Sequence, residues 1–330
     1  MGSRKKESSE RRAWATLLTR DQYAVGTVTL GRSLMSSGTA YPLVAMVTSA
    51  VSSHTLISVA GVPGMRVVHV DPVDPGPSTS SRKDYAFERF AEVWTKLQAW
   101  SLVDYDKVCF LDSDMLVLRH MDDVFDLVPG HVDLAACPAC TCNQNRLPQY
   151  PKSWVPANCA FTSKRGALAS YFNSGLLVLC PSLDTLTSLT AALAAADRSS
   201  YPFADQDFLN EYFAESTFLL PYVYNALKTL IVSHPDLWDI SDVRNIHYVL
   251  QKPWDTNPSQ SDPNDPYDVV NRMWWRVHLC LNDSNVLAPW IASPLSLLPA
   301  GVASPRSAMH SPASASRSSA THSSATKTLV

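Results

Sequence analysis

Short apolar runs alternate with longer amphipathic stretches over most of the chain. "ATLL" (15–18), "LVAMV" (43–47), "RVVHV" (66–70), "KVCFL" (107–111), "VDLAAC" (132–137) and "GLLVLC" (175–180) are short and apolar, the pattern of buried strands. Between them, "YAVGTVTLGRSLMSS" and "FERFAEVWTKLQAWSLV" repeat apolar positions at helical spacing. "SLDTLTSLTAALAAAD" begins at Ser182, an N-cap residue type, directly after Pro181, and "DQDFLNEYFAE" follows a Tyr-Pro. This alternation predicts an α/β fold, a single Rossmann-like, mostly parallel sheet flanked by helices. In such sheets ligands gather beyond the carboxyl ends of the strands.

One of those ends carries two acids. In "KVCFLDSDMLVL" the apolar run is broken by Asp112 and Asp114 and then resumes. In extended chain, residues two apart share a side, so the two carboxylates converge while Ser113 faces away. Like charges so placed repel unless a cation or a shared proton resolves the conflict. A divalent ion with oxygen ligands, Mn²⁺ or Mg²⁺, resolves it and leaves positions for phosphate oxygens. The plainer reading is two solvated aspartates in a turn. The D-x-D nucleophile of haloacid-dehalogenase-like phosphatases fits poorly, because this pair follows more than a hundred residues of the body.

Composition narrows the picture. The 330 residues are 46% apolar, enough for a large core, and the net charge of -3 gives no reason to expect a nucleic-acid partner. No window holds ~18 uninterrupted apolar residues, so no transmembrane helix is expected, and no apolar run follows the basic N-terminus to make a secretory signal. Residues 1–12 read as a flexible basic tail, 13–290 as the folded domain, and 291–330 as a disordered Ser/Ala/Pro-rich tail. A cytoplasmic setting with reduced thiols fits the seven cysteines. Four of them, Cys137, Cys140, Cys142 and Cys159, fall in a Cys/Pro-rich insert over 137–162. Zinc, a disulfide and free thiols all stay open for them, since C-x2-C-x-C is not the usual pair of C-x2-C knuckles.

Taken as a whole, "TKLQAWSLVDYDKVCFLDSDMLVLRHMDDVFDL" resembles glycosyltransferase family 8, retaining enzymes of the GT-A nucleotide-diphospho-sugar transferase fold that include glycogenin and galactinol synthase. "ATLLTRDQYAVGTVTLGRSL", "FNSGLLVLCPS", "ADQDFLNEYF", "LPYVYNAL" and "IHYVLQKPW" look like further family motifs, in the family's order. The resemblance implies a hexosyl transfer, of glucose or galactose, from a UDP-sugar to an acceptor hydroxyl, with retention. It implies Mn²⁺ (or Mg²⁺) on Asp112, Asp114 and His247, bridging the two phosphates. Leu17, Thr19 and Tyr23 would meet the uracil and ribose, and Arg89, Lys96 and Ser113 the rest of the donor. Asn173, Ser174 and Asp205 would hold sugar hydroxyls, with Gln206 near the anomeric carbon and Lys252 on the pyrophosphate. Gln206, Asp205 and Lys252 make up the implied catalytic set.

The chain also departs from the glycogenin pattern. "HYVLQKPW" lacks a glycine between the His and the Lys-Pro-Trp, and "YPFA" stands where a catalytic carboxylate and glycines are expected. "LKTLIVSHPDLW" has no acceptor tyrosine, which argues against self-glucosylation. A polyol, glycan, glycolipid or protein acceptor and a homodimer all stay open. So does a second reading, a non-catalytic relative that binds UDP-sugar as a sensor or scaffold. Trp238, Trp254, Trp274 and Trp275 are either a sugar-stacking platform or core packing.

Overall fold

The computed structural model describes residues 10–76, 88–130, 132–256, 259, 262 and 264–280. Both expected tails lie outside the described residues, apart from residues 10–12, and so do residues 281–290 of the expected domain.

Seven strands form the main sheet: β1 (Arg12–Leu18), β2 (Leu43–Val47), β3 (Met65–His69), β4 (Lys107–Leu111), β6 (Leu134–Pro138), β7 (Phe172–Leu179) and β8 (Thr217–Leu219). Their order is β3-β2-β1-β4-β7-β6-β8. β7 is antiparallel to both neighbours, and every other pairing is parallel. Alternation along β4 shows why both faces must be covered. Val108 and Phe110 pack with Trp94 and Trp100 on one side, and Cys109 and Leu111 pack with Trp14 and Phe125 on the other. A strand buried on both faces is the continuous apolar run that "KVCFL" presents.

The flanking helices include α1 (Ala24–Ser36), α2 (Ser53–Ala60), α3 (Val124–Leu127), α4 (Leu183–Ala195), α5 (Asp205–Tyr212), α6 (Leu230–Ser233) and α7 (Asp268–Cys280). Ser182 caps α4 as its residue type suggests, its hydroxyl accepting from the Thr185 N–H at 3.2 Å. The stretch expected as an ordinary helix over 87–103 is instead a 3₁₀ helix, Glu88–Ser101. Three residues per turn stack Trp94, Leu97 and Trp100 on one face, and all three are buried.

A second, three-stranded sheet was not legible in the sequence: β5 (Met115–Val117), β9 (Ala226–Leu227) and β10 (Asn245–His247), in the order β5-β10-β9. Two- and three-residue strands carry too little periodicity to detect. This small sheet matters for the site because β5 continues directly from Asp114. Its antiparallel register sets His247 opposite Met115. Among the described residues, no helix is long and apolar enough to cross a membrane.

Candidate active site at the carboxyl end of the sheet

The loop after β4 projects Asp112 and Asp114 from the carboxyl end of the central strands, and the β5–β10 register brings His247 to them. His247 Nε2 lies 3.2 Å from Asp114 Oδ1 and 3.9 Å from Asp112 Oδ2. The donor atoms of all three residues fall within 4.8 Å of one another. The imidazole is oriented from behind. Asn225 Nδ2 donates to Asn173 Oδ1 at 2.9 Å, which leaves Asn225 Oδ1 to accept from His247 Nδ1 at 2.9 Å. The Nε2 lone pair therefore faces the two acids, the arrangement in which a histidine binds metal. Two carboxylates and one imidazole suit Mn²⁺; Mg²⁺, which prefers oxygen donors throughout, fits less well.

Two buried lysines flank the acids. Lys252 Nζ pairs with Asp114 Oδ2 and donates to the Tyr248 carbonyl at 3.0 Å. Lys96 reaches Asp205 at 2.7 Å and Asp112 at 3.1 Å, and donates to the Ser174 carbonyl at 3.1 Å. A bare helix-face reading would put Lys96 in solvent, yet it is only 4% exposed. Burial works against its ammonium, but Asp112 and Asp205 more than offset this and hold its pKa above the ordinary value. The two acids are driven apart. Burial raises Asp112, only partly opposed by Lys96, while the Lys252 ammonium overcomes burial at Asp114 and holds it well below the usual carboxylate range.

The third group hangs on Gln206. Its Oε1 accepts from Asn173 Nδ2 at 2.8 Å and from the Ser174 N–H at 3.3 Å, and its Nε2 donates to Tyr171 Oη at 2.9 Å. The Tyr171 hydroxyl donates in turn to Asp207 at 2.5 Å, and the Ser174 hydroxyl to Asp205 at 2.9 Å. Polar contacts thus run unbroken from His247 to Asp207. Asp205 opens α5 after Ala204, whose φ of 43° is a left-handed conformation that non-glycine residues adopt only when their surroundings impose it.

The two acids, His247, both lysines and Gln206 share one cavity of about 260 Å³. Of the residues singled out from sequence, Leu17, Thr19, Tyr23, Lys96, Asp112, Ser113, Asp114, Asn173, Ser174, Asp205, Gln206, His247 and Lys252 all line it. Arg89 belongs to the 3₁₀ helix, but its side chain lies outside the described residues. In the glycine-free link before Lys252, Leu250 takes φ 65°. Leucine pays roughly 1–2 kcal/mol for that conformation, where glycine would pay none.

The insert between β6 and β7, which its position in the sequence already suggested as part of an acceptor pocket, lines the same cavity with Asn143, Gln144, Asn145, Tyr150 and Trp154, none of which was singled out from sequence. Trp154 stacks on Phe203 with centroids 4.5 Å apart. The tryptophans first weighed as a platform serve packing: Trp238 and Trp274 are buried in a core cluster, with Trp254 and Trp275 against it. Gly175 and Asn225 were missed as well. A Cβ on Gly175 would lie 2.4 Å from His247 Cε1 and 2.7 Å from its Nδ1. Gly175→Ala is therefore expected to push the ring off Asn225 and weaken Mn²⁺ affinity at Asp112, Asp114 and His247 by about 10- to 100-fold, the range for lost outer-shell support of a metal ligand. Calorimetric titration of Mn²⁺ into both proteins reads the effect, and unchanged affinity would discard it.

Comparison with known proteins supplies the family. The sequence profile of glycosyl transferase family 8 matches residues 22–257. The chain belongs to that family. Galactinol synthase 2 of Solanum lycopersicum is 30% identical over 299 residues, covering 87% of this chain and 86% of the relative. Galactinol synthase 1 of Arabidopsis thaliana is 30% identical over 284 residues, covering 81% and 78%. Among solved structures, the galactosyltransferase LgtC, in complex with donor and acceptor sugar analogs, superposes with a TM-score of 0.60 at 17% identity, over 85% of this chain and 99% of that one. GlyE of Streptococcus pneumoniae gives 0.56 at 20% identity, over 88% and 66%. The fold is GT-A, as the sequence led us to expect, and the chain is a glycosyltransferase.

Proposed function

We propose that this chain is a retaining transferase that moves a galactosyl group from UDP-galactose to a hydroxyl of a small polyol, in the cytoplasm. The observation that carries the reading is the convergence of Asp112, Asp114, His247 and Lys252 in a cavity that the insert also lines with amides and aromatics. The galactosyl choice and the small acceptor lean on the relatives' names. The cytoplasmic setting leans on the free thiols of the six cysteines whose side chains are described.

A divalent cation on Asp112, Asp114 and His247 would supply positive charge to the diphosphate as it leaves. Lys252 adds a second positive charge on the same side, and Leu17, Thr19 and Tyr23 receive the nucleoside. Asn173, Ser174 and Asp205 bind sugar hydroxyls and fix the ring. The anomeric carbon's bond to the phosphate oxygen breaks while the acceptor oxygen closes on the same face. The acceptor proton passes to a phosphate oxygen, and UDP departs with the electron pair. Gln206 carries no charge and has both ends of its amide engaged, which suits it to steady the electron-poor anomeric carbon rather than to attack it.

Gln206→Ala should lower kcat by roughly 100-fold, within the range seen when one positioned polar group is removed, while Kd for UDP stays within a factor of two or three. Equal losses in both would move Gln206 from chemistry to scaffold. The reading as a whole is tested by UDP release from a panel of UDP-sugars, with and without Mn²⁺, and with inositol and other polyols as acceptors. Metal-dependent UDP binding without release from any donor would favour a sensor or scaffold instead.

A further inference from the structure

Beside the cavity lies a second cluster that the transfer chemistry does not use. Cys140 and Cys142 open the insert after β6, Cys159 comes from its middle, and His234 follows α6. Their Sγ and Nε2 atoms all lie within 4.8 Å of one another. His234 Nε2 is 3.2 Å from Cys142 Sγ and 3.5 Å from Cys159 Sγ. Zinc bonded at about 2.3 Å to sulfur and about 2.0 Å to nitrogen needs its tetrahedral donors roughly 3.5–3.8 Å apart. Cys137, counted in this group from its spacing, is not part of it. It belongs to β6, is fully buried, and turns its thiol to the Pro221 carbonyl.

We propose that Cys140, Cys142, Cys159 and His234 bind one structural Zn²⁺. Three thiolates and one imidazole match a closed zinc site with no position left for substrate. The His234 ring is packed by Phe161, with centroids 5.4 Å apart. Metal binding releases the remaining thiol protons to solvent and involves no redox step.

The consequence is architectural. Residues 139–171 contain only one short helical turn, Pro156–Asn158, a length at which loops are uncommon unless something holds them. Zinc would fasten this insert to the segment after α6. Cys140 and Ser233 line the cavity, so the same clasp would fix the wall that carries Asn143 and Trp154. The zinc assignment stands apart from the transferase reading; only its effect on acceptor binding rests on it.

The test is elemental analysis of the full chain after gel filtration. One zinc per chain is expected, retained in Asp114→Asn and lost in Cys142→Ser and His234→Ala. Zinc-free wild type should take up Co²⁺ with the absorption of a tetrahedral thiolate site, and this does not depend on whether the variants fold. Its acceptor KM should rise well above that of the zinc-loaded protein, while UDP-sugar hydrolysis changes little. Zinc-free protein without thiolate absorption on Co²⁺ addition would overturn the proposal. A disulfide among Cys140, Cys142 and Cys159, found by mass spectrometry of the purified chain, would also overturn it.

Discussion

Asp114→Asn is expected to cut Mn²⁺-dependent turnover of the UDP-sugar by about 100- to 1,000-fold. A Lewis acid contributes several kcal/mol to a leaving diphosphate, and each ~1.4 kcal/mol is a factor of ten in rate. Asp114 is the acid closest to His247, and it is held ionised by Lys252. The amide keeps the shape but withdraws the charge from the cation site. The substitution also leaves the Lys252 ammonium, 8% exposed, with the Tyr248 carbonyl as its remaining strong acceptor. Two readouts separate these effects. The Mn²⁺ concentration for half-maximal rate should rise steeply, and the melting temperature should fall less than in Lys96→Met, because the amide oxygen still accepts from Lys252 and the charge repelling Asp112 is gone. Turnover within tenfold of wild type at ordinary Mn²⁺ would remove Asp114 from the metal site.

The residues behind that prediction were legible to very different degrees. β2 and β4 fall at the expected positions because buried parallel strands are uninterrupted apolar runs, a signal that tertiary context does not override. Asp112 and Asp114 could be found because charges are conspicuous at the end of such a run. His247 needed the family resemblance, since nothing in "NIHYVL" distinguishes a ligand from a packed histidine. Its actual placement depends on the Met115–His247 register of strands too short to see. Asn225 and Gly175 support His247 across long sequence separations, so no local pattern marks them. The cysteine grouping failed at one position for a simple reason. Cys137 still belongs to β6, where its side chain alternates into the core, and the loop that gathers the other three begins after Pro138. His234 lies 75 residues beyond Cys159, a partner that spacing alone would not suggest.

Lys96→Met should produce the largest loss of stability, about 3–5 kcal/mol, the range for removing one partner of a buried ion pair. Methionine approximates the volume of the stem, so packing changes little while the charge disappears. Asp205 loses a contact of 2.7 Å and Asp112 one of 3.1 Å, and the Ser174 carbonyl loses its donor. At about 2–4 °C per kcal/mol for a domain of this size, the melting temperature should drop by roughly 10 °C. The loss also has a predicted pH dependence. Asp112 is already raised in the folded state, and without Lys96 it must rise further. A carboxyl with a raised folded pKa binds more protons folded than unfolded, so stability falls as pH increases through that interval. The deficit of the variant should therefore be small near the pKa of an ordinary carboxylate and grow toward neutrality. Adding Asp205→Asn tests the electrostatic origin, since neutralising one acid should recover part of the loss. A deficit independent of pH, and undiminished in the double variant, would assign the loss to packing, and Lys96 would then matter as a stem rather than as a charge.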